Sequence, residues 1–122
     1  MSRYRKDLGD FGETVAEKFY LKSGYRVLEK NYTVRGGEID LIVENRKFLV
    51  FVEVKTRRNL QFGYPSEAVN EQKIQHMRCA ATRYLSGRPT KKEIRFDVIE
   101  VIAMIVEGVP QLIEMNHIPD IL

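Results

Sequence analysis

Residues 37–58 read GEIDLIVENRKFLVFVEVKTRR. The apolar runs LIV and FLVFV are strand-sized and are separated by Asn45 and Arg46, a turn-forming pair. They scarcely alternate with polar residues, and strands apolar on both faces belong in a sheet covered on both sides. Yet Asp40, Glu53 and Lys55 interrupt them. Burying a charge costs several kcal/mol unless it is paired or put to use, so these three residues require an explanation.

On the N-terminal side, Leu8, Phe11, Gly12, Val15, Ala16 and Phe19 recur at helical spacing, and Gly24 is placed to end a helix over roughly residues 7–23. YRVLEKNYTV then reads as a strand, broken from EIDLIVE by Gly36-Gly37. With KFLVFVEVKT these make three strands joined by short turns, an antiparallel meander. TRRNLQFGYPS is a connecting loop with Gly63 and Pro65 as breakers. In EAVNEQKIQHMRCAATRYLSG, Val69, Met77, Ala80, Ala81, Tyr84 and Leu85 gather near one helical face and Gly87 stops the helix. IRFDVIEVIAMIVE reads as a buried strand and VPQLIEM as an edge strand pairing back to it. The order α, β, β, β, α, β, β, with two helices available as covers, predicts an α/β sandwich of three layers around a central mixed sheet.

At 122 residues the chain has the length of one domain, 1–122. Its 43% hydrophobic and 30% charged residues exclude disordered and fibrous classes. MSRYRKDLGDFGET lacks the apolar core of a signal peptide, and no run approaches about 18 apolar residues, so a cytoplasmic location and no membrane association are expected. Cys79 is the only cysteine, which excludes an internal disulfide and a multi-cysteine zinc site and predicts a buried structural thiol. No GxGxxG or P-loop pattern supports a nucleotide cofactor. Net charge is +3, but residues 55–95 hold ten basic against three acidic side chains. Such a basic half suits a polyanion such as nucleic acid; a solvated helix face gives the same composition.

The hairpin geometry bears on the three charges. A two-residue turn at Asn45-Arg46 sets Asp40 opposite Phe51, and a four-residue loop sets it opposite Glu53. In either register Asp40, Glu53 and Lys55 share a face and meet at one end of the hairpin, whereas a three-residue loop without a bulge would split them. A salt-bridged brace is one explanation. The other is chemistry: two convergent carboxylates are the hard-oxygen set that Mg²⁺ prefers, and the Val54 carbonyl and waters could complete its octahedron. A metal there lowers the pKa of bound water and neutralises charge on a phosphate, while a nearby lysine orients the water or stabilises the transition state.

Asp40 followed by Glu53-Val54-Lys55 at the end of the next strand resembles the PD-(D/E)XK, or restriction-endonuclease-like, nuclease superfamily. The longer pattern of GETVAEKFYLKSGY, Asn31, GGEIDLIV, FVEVKTR, FGYPSEAV, a helix with QK, and RFDV is similar to the YraN-like family of small bacterial proteins, over nearly the whole chain. That family resembles archaeal Holliday-junction resolvases. The resemblance implies an αβββαβ core and a Mg²⁺- or Mn²⁺-dependent endonuclease hydrolysing phosphodiester bonds in structured or branched DNA. It makes Asp40 and Glu53 metal ligands, Lys55 the catalytic lysine, Glu13 a helical glutamate reaching the metal directly or through water, and Gln72 and Lys73 the position of a polar helper. The superfamily's proline before the aspartate is Ile39 here. Resembling resolvases are homodimers, and MIVEGVPQLIEM is either an edge at which two chains pair or a solvated hairpin. The alternative function is a nucleic-acid-binding module that keeps the fold without catalysis; a third is an interaction protein with a purely structural charge cluster.

Around this set, Glu38 shares the face of Asp40 and either takes a direct part or is a supporting or gating residue. Arg57, Arg58 and Lys73 are expected to contact phosphates. Phe62 and Tyr64 either stack on an unpaired base or pack the loop onto the domain. His76 and His117 lack a partnered cluster and read as ordinary surface or packing residues. Arg95 and Asp97 share a strand face as a buttressing ion pair.

Overall fold

A computed structural model describes residues 3–58 and 71–122 of the chain. The elements are α1 (Arg3–Lys22), β1 (Arg26–Val34), β2 (Gly37–Glu44), β3 (Phe48–Arg57), α2 (Glu71–Leu85), β4 (Glu93–Val106) and β5 (Val109–Ile118). The loop expected around Phe62, Gly63, Tyr64 and Pro65, and the helical residues expected from Glu67 to Asn70, lie outside the described residues. No helix among those described is long and apolar enough to cross a membrane.

The five strands form one sheet in chain order, β1-β2-β3-β4-β5. Neighbours are antiparallel except β3 and β4, which run parallel and are joined by the crossover that contains α2. The strands' two-sided apolarity is met by one helix on each face. Ala16 and Tyr20 of α1 pack with Leu41, Val43, Val50, Val52, Ile99 and Val101. Ala80, Ala81 and Tyr84 of α2 pack with Ile39, Ile42, Leu49 and Phe51 on the other. This is the expected α/β arrangement of a mixed sheet between helices.

Two glycines set how closely the helices approach. A Cβ on Gly12 of α1 would stand 1.8 Å from the Thr56 hydroxyl of β3, and one on Gly37 of β2 would stand 2.2 Å from the His76 carbonyl of α2. A side chain at Gly37 would run into α2 backbone, and one at Gly12 would have to displace the Thr56 side chain, so each helix lies almost directly against its strand there. At the β4–β5 turn, Glu107 and Gly108 both adopt left-handed φ values of 52° and 80°, as a two-residue hairpin of the right twist requires.

The β2–β3 register pairs Leu41 with Val52 and Glu44 with Leu49. Residues 45–48 lie between the last paired positions, so the four-residue loop is the one adopted. Asn45 enforces it: its side-chain oxygen accepts the Lys47 and Phe48 amides at 2.9 and 2.7 Å, while its own amide donates to the Phe48 carbonyl at 3.0 Å.

Candidate active site

The ladder between β2 and β3 ends at Leu41 and Val52. One residue further on, where the next backbone pair would have formed, the Asp40 carboxylate accepts the Val54 amide at 2.8 Å. The strands part here and a side chain replaces a carbonyl. Asp40 also sits where side-chain alternation along β2 breaks, because Ile39 packs on the α2 side and Leu41 on the α1 side. The neighbouring strand breaks at the matching point. The β1–β2 register brings Asn31 opposite Asp40, and Asn31 has a left-handed φ of 51°, a conformation that asparagine tolerates better than most residues. Strict parity, which puts Asp40 on the face of Phe51 and Glu53, is therefore only partly kept. Asp40 stands between the two faces and also lines a cavity of about 200 Å³ with Asp10, Glu13, Thr14 and Asn31 on the α1 side.

Glu53 points to the α2 side and is 2% exposed. Its Oε1 lies 3.1 Å from the Lys55 ammonium and 3.1 Å from that of Lys73, on the first turn of α2. Its Oε2 is sealed from solvent and has no hydrogen-bond partner among the described residues. Burial, and then the Glu53 charge, push the Asp40 carboxyl up from its ordinary 3.8 to about 7, with Glu13 adding a smaller push and the Val54 amide opposing it. Burial alone would lower the Lys73 ammonium, but Glu53, and behind it Asp40 and Glu38, hold it above its ordinary value.

The expected convergence of Asp40, Glu53 and Lys55 is thus present. Lys73 joins them as an ion partner of Glu53, a closer role than the phosphate contact expected of it, and Glu38 approaches Lys73 at 3.8 Å while staying largely in solvent. Gln72 is exposed. Glu13 faces Asp40 across the cavity, but among the described residues no three His, Cys, Asp or Glu side chains close around one point as a metal cage. The fit to a divalent ion therefore rests on two carboxylates. Burial and the Glu53 charge raise the Asp40 carboxyl, and Glu53 Oε2 is buried without a partner among the described residues, so the pair gains from a positive group between its carboxylates, either a shared proton or a divalent cation. Mg²⁺ is commonly held by one or two carboxylates with several waters, so Asp40 and Glu53 suit it.

Arg57 is half-buried at the end of β3 and Arg58 exposed beyond it. The basic half is not one surface. Lys55, Arg57, Arg58 and Lys73 lie toward the carboxylates, whereas Arg88, Lys91, Lys92 and Arg95 lie at the opposite end of the sheet, where the Glu93 amide bonds the Lys47 carbonyl at 2.9 Å. A parallel β3–β4 pair puts both strand starts at one end, which separates cations that are close in sequence.

Composition and spacing did not single out Glu100, the in-register neighbour of Lys55 on β4, at 4% exposure. Its interruption of the apolar run VIEVIAMIV was the available signal. Nor did they show how many groups Asp97 gathers. The fully buried Asp97 accepts from Arg95 Nε at 2.8 Å, Tyr20 Oη at 2.9 Å and the Asp120 amide at 3.0 Å, and contacts His117 Nε2 at 2.7 Å. Burial works against its ionisation, but the bonds from His117, Arg95, Asp120 and Tyr20 together hold it at about 2. The Arg95–Asp97 buttress is as expected, and His117 is part of it. His76 is exposed, and Cys79 is only partly buried, its thiol 3.8 Å from the Arg35 carbonyl.

Residues 12–101 match the uncharacterised protein family UPF0102, and the chain belongs to that family. It is 40% identical over 117 residues to a UPF0102 protein of Caldicellulosiruptor bescii, covering 94% of this chain and 96% of that one. A UPF0102 protein of Chlorobium phaeobacteroides is 46% identical over 104 residues, with 84% of this chain and 82% of the relative covered. One of Clostridium botulinum is 46% identical over 99 residues, 80% of each chain. The matched segment carries every residue of the carboxylate and lysine cluster.

Proposed function

We propose that this protein is a divalent-metal-dependent endonuclease that hydrolyses phosphodiester bonds in structured or branched DNA, built on the restriction-endonuclease-like plan that its sequence resembles. The observation that carries the reading is the pairing of Asp40, held near neutrality, with a buried Glu53 whose Oε2 has no partner, at a sheet end where two lysines also converge. Asp40 and Glu53 would hold Mg²⁺ or Mn²⁺, which when bound supplies an activated water and neutralises phosphate charge. The chain's own residues do the rest. The Val54 amide fixes the Asp40 carboxylate, and Lys73 and Lys55 fix that of Glu53. Lys55, 28% exposed, remains accessible to orient a water or stabilise charge on the scissile phosphate. Glu13 supports from the α1 side, Gln72 from the start of α2, and Arg57 and Arg58 lead away from the site as phosphate contacts.

A binding module that keeps this fold without catalysis is the second reading. The specific observation in its favour is that two ammonium groups already bracket one oxygen of Glu53, as in a satisfied ion cluster. Calorimetric titration of Mg²⁺ and Mn²⁺ into wild type and Asp40→Ala/Glu53→Ala separates the two, with labelled linear, flapped and four-way DNAs incubated alongside. The nuclease binds metal and cleaves, and both are lost together in the variant. A wild type that binds DNA but takes up no metal and cuts nothing is the binding module.

A further inference from the structure

At the end of the sheet opposite the carboxylates, the β2–β3 turn and the segment between α2 and β4 bring six cations together: Arg26, Arg46, Lys47, Arg88, Lys91 and Lys92. Glu44 takes up two of them, Arg26 and Lys92, and these hold its carboxyl below its ordinary range. Among the described residues, Arg46, Lys47, Arg88 and Lys91 have no carboxylate partner within ion-pair distance, and all four are exposed. The group is pre-arranged. Arg88 lies over the Tyr84 ring at 4.3 Å and donates to the Tyr84 carbonyl at 3.0 Å. Lys47 lies over Phe48 at 5.2 Å, and the Lys92 amide is fixed by Thr90 Oγ1 at 3.1 Å. Between turn and segment is an open concavity of about 590 Å³ lined by Arg46, Lys47, Thr90, Lys91, Lys92 and one carboxylate, Glu93.

This pole is remote from the carboxylates. Lys47 to Glu53 along β3 spans about 20 Å at 3.3 Å per residue, more than twice the Debye length of about 8 Å at physiological ionic strength. Its charge therefore does not steer a substrate to Glu53 through solvent; it acts on what touches it. The cations nearest the site, Lys55, Arg57 and Lys73, sit at the other end of the same sheet, so Arg46 and Lys91 belong to a separate basic surface.

We infer that the pole formed by Arg46, Lys47, Arg88 and Lys91 is a second nucleic-acid contact, holding the phosphodiester backbone of a segment other than the one at Asp40 and Glu53. This rests on the reading of the protein as acting on DNA and deepens it: a substrate whose second segment lies on this pole is branched or folded back, whereas one straight duplex spanning both poles would lose as much affinity in the variant as a junction does, which would overturn the inference. The test compares wild type with Arg46→Gln/Lys47→Gln/Lys91→Gln, all exposed positions, after thermal melting has established that the variant folds as wild type does. Binding to a fluorescent four-way junction and to a short linear duplex is titrated across salt concentrations in EDTA, and to anionic phosphatidylglycerol vesicles in parallel. For the junction, the logarithmic salt slope is expected to become shallower by about 2 to 3 on loss of three phosphate contacts, with affinity falling about tenfold or more at low salt. Duplex affinity changes far less. Unchanged junction affinity and slope in a variant whose parent binds DNA overturn the second contact alone. A wild type that binds no DNA overturns the functional reading as well. Vesicle binding lost in the variant while junction binding persists reassigns the pole to a membrane surface and overturns the inference.

Discussion

Asp40→Asn should make the protein more stable at pH 8 while removing its capacity for Mg²⁺. Asparagine keeps the oxygen that accepts the Val54 amide and replaces the charge facing Glu53 with an amide. The wild-type carboxyl stands at about 7 when folded against 3.8 in its ordinary state. Between these values the unfolded chain has released the proton that the folded protein keeps, so wild-type stability declines as pH rises from about 4 to about 7 and stays low above. Three units at about 1.4 kcal/mol each set a ceiling of about 4 kcal/mol on that loss. Because Asp40 retains some contact with solvent, about 2 to 3 kcal/mol is the working expectation. Urea unfolding in EDTA at pH 4 and pH 8 measures it: the variant and wild type should be close at pH 4 and separated at pH 8 with the variant ahead. Mg²⁺ at about 1,000 times its Kd should reverse the order at pH 8, since it adds about 4.1 kcal/mol to a protein that binds it. A variant less stable than wild type at pH 8 in EDTA, or a gap independent of pH, would refute the claim that Asp40 and Glu53 are held together as like charges.

Gly12→Ala should cost about 2 to 3 kcal/mol in chemical unfolding, because the new methyl meets Thr56 Oγ1 at 1.8 Å. Adding Thr56→Ala should recover part of that loss, and no recovery would mean that α1 is limited by something else. Wild type should lose stability as pH falls from about 4 to about 2, the window set by an Asp97 carboxyl at about 2 when folded against 3.8 in its ordinary state. Asp97→Asn should flatten that acid limb and lower stability at pH 7 by about 3 kcal/mol or more through loss of a buried charge partner; an unchanged acid limb counts against the network. Lys73→Met removes one of the two cations on Glu53 Oε1, so calorimetry should show tighter Mg²⁺ binding and melting should show a less stable metal-free protein. Weaker Mg²⁺ binding would mean that Lys73 supports the ion rather than competing with it.

Much of this was legible from the chain because the strands are apolar and punctuated. The LIV and FLVFV runs, the Gly36-Gly37 break and the stop at Gly87 each mark a boundary with a local physical cause. Convergence of Asp40 with Glu53 and Lys55 was legible too, since a hairpin brings the outer ends of its strands together whichever loop it uses. What the chain hid depends on distance in space. Asn31 and Asp40 break the side-chain alternation of two neighbouring strands at the same point, and no single-strand parity rule contains that. Lys73 reaches Glu53 only because α2 lies where it does, after a crossover whose length carries no angle. The basic residues between 55 and 95 read as one stretch, but a parallel strand pair sends its members to opposite ends.

The glycines at 12 and 37 give the carboxylate end of the sheet a property that the apolar clusters lack. Packed methyl and phenyl groups can trade volume with one another, so a core drifts in sequence while its layers shift by tenths of an ångström. Where backbone rests on a neighbouring atom there is nothing to trade. Residues 13 and 38, which follow the two glycines, are therefore referenced to the sheet by contacts that substitutions elsewhere in the core do not alter. The spacing of the charged groups is insulated from the wear of the interior around it, and the two positions that carry no chemistry of their own become as intolerant of change as those that do.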